Sequence, residues 1–365
     1  TLPMGEPIRV VIADDSPFVC RLLASYLRSD PEIEVVGIAQ DGKQAIEMVT
    51  RLRPSAVTLD LGMPVVDGLE ALKHIMHKQP TPVIVISGIS SESATCTLQA
   101  LEAGAVDFIL KYTPGTDTNP EALRREIITK VRAASRIRVI RSLKVQTAGA
   151  GNRVTAPVML NRQAGRKTGE SGLPSEASRL VGGGVIVVGA STGGPVALRE
   201  LIGSLPGDLR ATVLVVQHMP AMFTKVLALQ LNRSVRLKVK EAESGDPLEP
   251  GTVLIAPGGY HMLVGPDSRI RLSEGPEIEG HRPSVDVTMQ SVAQLYGSRT
   301  RGVLLTGMGK DGSMGLLSIR SRGGRTYVQD AASCVVNGMP QSAIDLGVVD
   351  CVAPPQEIAR RLYQA

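Results

Sequence analysis

The stretch Val185-Ile-Val-Val-Gly-Ala-Ser-Thr-Gly-Gly194 decides the fold of the second half of this 365-residue chain. Its β-branched apolar run predicts a buried parallel strand, and the small residues after it predict a tight turn into a helix. Two later runs have the same form: Val213–Val216 precedes Gln217-His-Met-Pro220, and Val303–Leu305 precedes Thr306-Gly-Met-Gly-Lys-Asp-Gly312. Together they predict a doubly wound, Rossmann-like α/β domain whose site lies beyond the carboxyl ends of the strands.

Ser191, His218 and Asp311 each follow one of these strands, so they can converge although they are distant in sequence. A serine nucleophile needs a base to take its proton and a carboxylate to orient that base. Gly189-x-Ser191-x-Gly193 also fits the turn that lifts a serine to the head of a helix. Asp286, which begins a predicted helix, is the rival carboxylate, and Asp311 is favoured because it leaves a buried strand.

A different function is possible for the same domain. Gly307-x-Gly309-x-x-Gly312 follows a strand, opens a predicted helix and has Asp330 near the end of the next strand, as in dinucleotide-binding folds. Asp311 would put a carboxylate where the pyrophosphate must bind, which argues against this alternative. The alternative is therefore a regulator whose second domain binds a dinucleotide or a partner instead of hydrolysing a bond.

Two other histidines of this domain lie near predicted loops and helix starts. We expect His261 to be a loop hydrogen-bonder and His281 to line a substrate rim. No His-x-x-x-His or paired-cysteine pattern indicates zinc.

The first half of the chain predicts a second doubly wound unit of five strands. Each of four apolar runs ends at a polar residue or pair. These are Ile8–Ala13 before Asp14-Asp15, Val57–Leu59 before Asp60, Val83–Ile86 before Ser87, and Val106–Leu110 before Lys111. Clustered carboxylates suit Mg²⁺, and with the metal one carboxylate can attack a phosphoryl donor while the lysine and the hydroxyl hold the new oxygens.

The charge separates the two units. The net charge is +5, but residues 131–183 contain ten Lys/Arg against two Asp/Glu and little hydrophobic periodicity. We expect a helix from Asn119-Pro120 to about Lys144 and then a flexible basic linker. Without a DNA-binding helix pair and with few aromatic residues, nucleic acid is not an expected partner.

The compartment follows from cysteine use and hydropathy. The four cysteines are scattered, and no basic apolar leader and no apolar run of membrane-spanning length occurs. We therefore expect a cytoplasmic protein that is not inserted in a membrane.

Residues 6–128 resemble the receiver domain of two-component response regulators. The resemblance rests on Val10-Val-Ile-Ala-Asp-Asp-Ser16, Leu59-Asp-Leu-Gly-Met-Pro64 with Asp67-Gly68, Ser87 and Lys111. It implies a flavodoxin-like fold, a histidine kinase as phosphodonor and Asp60 as phosphoacceptor. It also implies Mg²⁺ at Asp14, Asp15 and Asp60, the switch pair Ser87 and Lys111, and an aromatic switch at Phe108. Tyr112 stands where this family usually has proline, often in a cis bond; because a cis bond without proline costs about 3 kcal/mol, we expect a trans or a strained bond at this loop.

Residues 182–365 resemble the catalytic domain of the chemotaxis protein-glutamate methylesterases, the CheB family, with residues 129–181 as the linker. The matching segments include Gln217-His-Met-Pro220, His281-Arg-Pro-Ser-Val-Asp286 and Cys334-Val-Val-Asn-Gly-Met-Pro340. The resemblance implies a Ser191, His218 and Asp311 triad, with backbone N–H groups near Thr192 and Met308 as oxyanion donors. It also implies that the enzyme hydrolyses glutamate γ-methyl esters on chemoreceptors, releases methanol, deamidates certain receptor glutamines, and needs no cofactor for the ester reaction.

Overall fold

The computed structural model describes residues 6–111, 119–137 and 183–364. Two parallel sheets flanked by helices form the fold, as the sequence predicts. In the first unit the elements are β1 (Ile8–Ala13), α1 (Pro17–Arg28), β2 (Ile33–Ala39), α2 (Gly42–Leu52), β3 (Ala56–Asp60), α3 (Gly68–Lys78), β4 (Val83–Ser87), α4 (Ser91–Glu102), β5 (Asp107–Leu110) and α5 (Pro120–Ser135).

In the second unit the strands are β6 (Val185–Ala190), β7 (Thr212–Gln217), β8 (Lys238–Glu241), β9 (Thr252–Ile255), β10 (His261–Val264), β11 (Ile270–Ser273), β12 (Thr300–Leu304), β13 (Arg325–Gln329) and β14 (Cys351–Ala353). The helices are α6 (Gly194–Gly203), α7 (Ala221–Ser234), α8 (Val285–Tyr296), α9 (Ser313–Ser321), α10 (Gly338–Asp345) and α11 (Pro355–Gln364). No helix of the described residues is long and apolar enough to cross a bilayer.

The first sheet has the order β2-β1-β3-β4-β5, with every pair parallel. Successive β1 residues face opposite sides because side chains alternate along a strand. Val11 packs in the cluster that includes α2, α3 and α4, whereas Val10 packs with α1 and α5. This arrangement confirms the flavodoxin-like, doubly wound prediction.

Helix α5 begins as the sequence predicts and ends earlier. The Asn119 side chain accepts a hydrogen bond from the Glu121 N–H, and Pro120 occupies the first turn. The helix ends at Ser135 instead of near Lys144, and the following residue Arg136 caps it by donating to the carbonyls of its last turn. Val131 and Ala134 are buried against α1, so the helix crosses the predicted boundary between residues 128 and 129. The predicted linker beyond 137, and Tyr112, lie outside the described residues.

The second sheet has the order β14-β13-β12-β6-β7-β9-β8 and is parallel throughout. Ile186 and Val188 pack with α6, α7 and α11, whereas Val185 and Val187 pack with α8 and α9. Strand β6 therefore separates two helical layers, which confirms the predicted second doubly wound domain. The strand order reverses at β6: the chain continues from β6 to β7 on one side of this strand and later returns to β12 on its other side. Sites of open α/β sheets lie at such a reversal, beyond the carboxyl ends of the strands.

Candidate functional site at the carboxyl ends of three central strands

Ser191 and His218 follow neighbouring strands and are held together through the main chain. The Ser191 N–H donates to the Thr306 carbonyl at 3.1 Å, and the His218 N–H donates to the Ala190 carbonyl at 3.0 Å. The Gln217 side-chain amide donates to the Ser191 carbonyl at 2.9 Å. The reversal of strand order thus brings the serine and the histidine, both singled out from sequence, to one edge.

Asp311 precedes helix α9 in the chain, but its buried carboxylate contacts the first residues of helix α8. Its carboxylate accepts hydrogen bonds from the Ser284 hydroxyl at 2.9 Å, the Val285 N–H at 2.7 Å and the Asp286 N–H at 3.0 Å. It also bonds to His218 Nε2 at 2.8 Å. Burial alone would raise the pKa of Asp311, but the bonds from His218 and the backbone N–H groups lower this pKa to about 2. The carboxylate therefore stays ionised beside the imidazole.

The contact with Asp311 determines which nitrogen of His218 can act as a base. An ionised carboxylate only accepts, so Nε2 carries the proton and Nδ1 has the lone pair. Nδ1 is buried and has no hydrogen-bond partner among the described residues, the Ser191 hydroxyl included. The serine and the histidine are thus adjacent in this state without a side-chain hydrogen bond between them.

The rival carboxylate points elsewhere. The Asp286 side chain accepts from the Gly315 N–H at 2.6 Å, at the start of helix α9. Burial raises the pKa of Asp286 to about 6, and the nearby Asp311 adds to this rise against the Gly315 hydrogen bond. Asp286 therefore joins two helix starts, whereas Asp311 contacts the histidine.

The glycines around Ser191 are required by close packing. Gly193 has a φ of 77°, and a Cβ there would lie 2.6 Å from Val335 Cβ. A Cβ on Gly307 would lie 2.3 Å from Met339 Sδ and 2.8 Å from Ser191 Cβ. In the pattern that suggested a dinucleotide site, Gly307 and Gly312 are thus explained by close contacts within the protein, since a Cβ on Gly312 would lie 2.3 Å from Leu304, and Gly309 is explained by its φ of 88°.

Two backbone N–H groups near Ser191 are available to a ligand. The N–H groups of Thr192 and Met308 donate to no other described residue. Thr306, whose role the sequence did not reveal, holds this loop, because its hydroxyl donates to the Thr192 carbonyl at 2.9 Å while its own carbonyl accepts from Ser191. Thr306 begins the same segment that contains Asp311, and this position is the signal from which its role could have been predicted.

The other two histidines of the domain differ from each other. His261 is a hydrogen-bonding residue, as predicted, but in strand β10: Nε2 contacts the Pro276 carbonyl at 2.9 Å and Nδ1 accepts from the Ser284 N–H at 3.2 Å. His281, which the sequence predicts on a substrate rim, stacks on His218 with ring centroids 3.9 Å apart.

An acidic pocket lies at the carboxyl edge of the first sheet. Oxygens of Asp14, Asp15 and Asp60 all lie within 4.8 Å of one another. Lys111 Nζ is 2.8 Å from Asp60 Oδ2 and 3.0 Å from Asp14 Oδ2. Burial would lower the pKa of Lys111, but Asp60 and Asp14 raise it, while burial raises the pKa of Asp14. Asp14 Oδ2 is buried with Lys111 Nζ as its close partner, and the cluster of three carboxylates is a donor set that fits a small hard cation.

The switch residues predicted from sequence lie between this pocket and the second domain. The Ser87 hydroxyl is 2.6 Å from the Thr97 hydroxyl of helix α4. Helix α4 packs against α6 and α7. Phe108 stacks on Phe223 of α7, with ring centroids 4.5 Å apart. The two domains therefore meet on the face that carries the predicted switch residues.

One contact between the domains reaches the residue after Ser191. The Thr192 hydroxyl donates to Asp107 Oδ2 at 2.5 Å, and both side chains are buried. Lys130 lies 3.5 Å from Asp107 Oδ1, and Arg199 of α6 pairs with Glu102 of α4. Sequence reasoning did not find Asp107, because nothing local marks a carboxylate that faces another domain.

The comparisons with known proteins agree with this architecture. Residues 10–119 match the model of the response regulator receiver domain, and residues 186–362 match the model of the CheB methylesterase. A "protein-glutamate methylesterase/protein-glutamine glutaminase" of Symbiobacterium thermophilum is 44% identical over 99% of this chain and 97% of its own length. One of the same name from Pyrococcus abyssi is 41% identical, over 99% of this chain and 94% of its own.

Among solved structures, the chain is similar to the CheB methylesterase catalytic domain of Thermotoga maritima. That comparison has 42% identity and a TM-score of 0.49, and covers 50% of this chain and 99% of the other. Because these relatives match over nearly the full length of both chains, the chain belongs to the CheB family, in which a response-regulator receiver precedes a methylesterase domain. The alternative of a dinucleotide-binding second domain finds no support.

Proposed function

We propose that this protein is a phosphorylation-activated serine hydrolase that demethylates glutamate γ-methyl esters on chemoreceptors, releases methanol, and deamidates receptor glutamines. The observation that carries the proposal is the Asp311 carboxylate, which binds three donors at the start of α8 and His218 Nε2. This geometry leaves Nδ1 of His218 as the only ring nitrogen able to accept a proton.

The chemistry follows from these positions. Ser191 Oγ attacks the γ-carbonyl carbon while His218 Nδ1 takes the hydroxyl proton, and Asp311 stabilises the imidazolium that forms. The Thr192 and Met308 N–H groups donate to the oxyanion of the tetrahedral intermediate. His218 then gives its proton to the leaving methoxide, which departs as methanol, and a glutamyl ester remains on Ser191.

Water completes the reaction by the same route in reverse. His218 Nδ1 takes a proton from water, the hydroxide attacks the acyl carbon, and Ser191 Oγ leaves with the proton from His218. A glutamine γ-amide has the same electrophilic carbon and differs only in its leaving group, so ammonia replaces methanol. One triad with one oxyanion site therefore serves both substrates.

The receiver supplies the control. Asp60 is the proposed phosphoacceptor, with a histidine kinase as donor, and Asp14, Asp15 and Asp60 would hold Mg²⁺. When bound, Mg²⁺ neutralises charge on the phosphoryl oxygens. Lys111, already paired with Asp60, would bind a phosphoryl oxygen, and the Ser87 hydroxyl would hydrogen-bond it.

The contact between the domains supports control by occlusion. The receiver touches Thr192, one residue from the proposed nucleophile, so the packed receiver would hinder the approach of a substrate side chain to Ser191 from that side. Phosphorylation would shift the equilibrium towards a separated state, because an interface inside one chain is small enough for a few kcal/mol to move it. We place this cycle in sensory adaptation of a cytoplasmic chemotaxis pathway.

The proposed function is tested with a fluorophosphonate probe and a methyl-esterified receptor. Ser191→Ala should abolish labelling, and both His218→Ala and Asp311→Asn should lower the labelling and demethylation rates by at least about 10³-fold. Asp286→Asn is the matched carboxylate control and should stay near the parent rate. An Asp311→Asn variant with full activity, beside an inactive Asp286→Asn, would show that the orienting residue is Asp286.

A further inference from the structure

His281 contacts the proposed base directly, and the mechanism above gives it no role. Its ring lies face to face with the His218 ring, with centroids 3.9 Å apart and planes 9° apart. The stack covers one face of His218 and leaves both of its nitrogens in the ring plane, where Nε2 already binds Asp311.

A single hydrogen bond does not fix an imidazole. With Nε2 held by Asp311 alone, the ring could pivot about that bond, and the pivot would displace Nδ1. A displacement of about 1 Å in a catalytic group can lower a rate by about 10²-fold. A flat group against the ring face opposes this motion, because tilting the ring would require moving its neighbour.

His281 is itself held firmly enough to do this. Its N–H donates to the Ile278 carbonyl at 2.9 Å, and its carbonyl accepts from the Ile278 N–H at 3.0 Å. The next residue, Arg282, accepts from the Gly259 N–H at 3.0 Å and donates from its guanidinium to the Glu274 and Gly275 carbonyls. The backbone on both sides of the stack is thus tied to neighbouring loops.

The same short segment also fixes the carboxylate. Ser284, Val285 and Asp286 supply the three donors that hold Asp311, and His281 precedes them by only a few residues. One segment, 281–286, therefore contacts both His218 and the residue that orients it. A displacement of this segment would move His218 and Asp311 together, so the hydrogen bond between these two residues would be kept.

The His281 ring is uncharged near neutral pH. Burial and the nearby His218 lower the pKa of His281 to about 4, with Lys130 of α5 acting in the same direction and Asp311 against it. Above about pH 5 the ring is neutral, so it adds no like charge beside the imidazolium that His218 becomes.

We propose that His281 is a positioning residue that holds the His218 ring by stacking, so that Nδ1 faces the Ser191 hydroxyl during proton transfer. This role rests on the proposed triad. It requires the flat ring of His281 and not its nitrogens, and a phenylalanine should therefore replace it.

The experiment compares His281→Ala and His281→Phe in the full-length protein, with Mg²⁺ and acetyl phosphate present. The matched control is His74→Ala, which removes an exposed histidine from receiver helix α3. For His281→Ala we expect kcat for the methyl-esterified receptor to fall ten- to a hundredfold, as should the fluorophosphonate labelling rate, with KM within about twofold. His281→Phe should recover most of the loss, and His74→Ala should match the parent.

Rescue by a flat ring separates positioning from a merely structural role. A structural defect would lower the rate in both variants, whereas His281→Phe should restore kcat towards the parent value with KM unchanged. Melting temperatures of both variants show whether either is unfolded. The ratio of rates with and without acetyl phosphate should be unchanged, because the proposed role acts on chemistry and not on domain packing.

Three results would overturn the proposal. One is a His281→Ala rate within twofold of the parent, and a second is a folded His281→Phe variant as slow as His281→Ala. The third is a loss confined to the ratio with and without acetyl phosphate, which would assign His281 to the domain interface. The triad itself is tested separately: activity that survives Ser191→Ala would refute it, whereas the His281 variants leave Ser191 in place and test only the stacking role.

Discussion

Asp107→Ala should activate the unphosphorylated enzyme. Asp107 accepts the Thr192 hydroxyl at 2.5 Å across the domain interface, whereas its other partners, Lys130 at 3.5 Å and the Phe108 N–H at 2.8 Å, belong to its own domain. Lys130 keeps Glu126 at 2.9 Å and the Phe108 carbonyl at 2.6 Å after the change. The substitution therefore weakens the packed state by the Thr192 hydrogen bond and affects the separated state much less.

The size of the effect follows from that one bond. A hydrogen bond to a charged group contributes about 1.5–3 kcal/mol, and removing it should raise the separated fraction about 10- to 150-fold, up to full separation. Demethylation without phosphodonor should rise by the same factor until it reaches the phosphorylated rate. The phosphorylated rate itself should not change, because Asp107 has no part in the proposed chemistry.

The assay is methanol release from a methyl-esterified receptor, with and without acetyl phosphate. Asp107→Asn keeps a neutral acceptor and should give an intermediate rise, and Glu47→Ala, an exposed change on α2, should give none. An Asp107→Ala basal rate equal to that of the parent would refute the reasoning. So would an equal rise with and without acetyl phosphate.

Three more predictions concern phosphorylation, control by the receiver domain, and the pH dependence of stability. Mass spectrometry after borohydride trapping should find phosphate on Asp60 alone, absent in Asp60→Asn; Lys111→Arg should still be phosphorylated but respond weakly, since a guanidinium fork is not a compact ammonium. A fragment that begins near Gly182 should demethylate receptors faster than the unphosphorylated whole chain and ignore acetyl phosphate; equal rates would rule out simple occlusion. The raised pKa of Asp286 means that the native state binds more protons than the unfolded state between about pH 4 and pH 6, so stability falls as pH rises through that window. In urea unfolding, Asp286→Asn should remove this pH dependence and raise the free energy of unfolding at pH 7 by about 1–3 kcal/mol. An unchanged pH dependence in this variant would contradict the prediction.

Local patterns in the sequence were enough to predict both sheets. Runs such as Val185–Val188 and Val213–Val216 are fully buried, and strands of a parallel sheet that helices cover on both faces are typically such runs. Since Ser191 and His218 follow these runs within three residues, the sequence also predicted that they share an edge. The receiver cluster around Asp60 followed for the same reason.

Only the tertiary structure revealed the contacts that orient the side chains of the site and join it to the receiver. Nothing in the sequence indicated that Asp311 would lie at the start of α8, because that helix precedes it and its N–H groups have no side-chain signature. The His281 stack and the Asp107 contact with Thr192 were equally invisible. Hydrophobic periodicity reports which residues are buried, whereas these contacts depend on how loops and domains pack. A sequence thus determines which strand end carries a group, and only packing decides which group it meets.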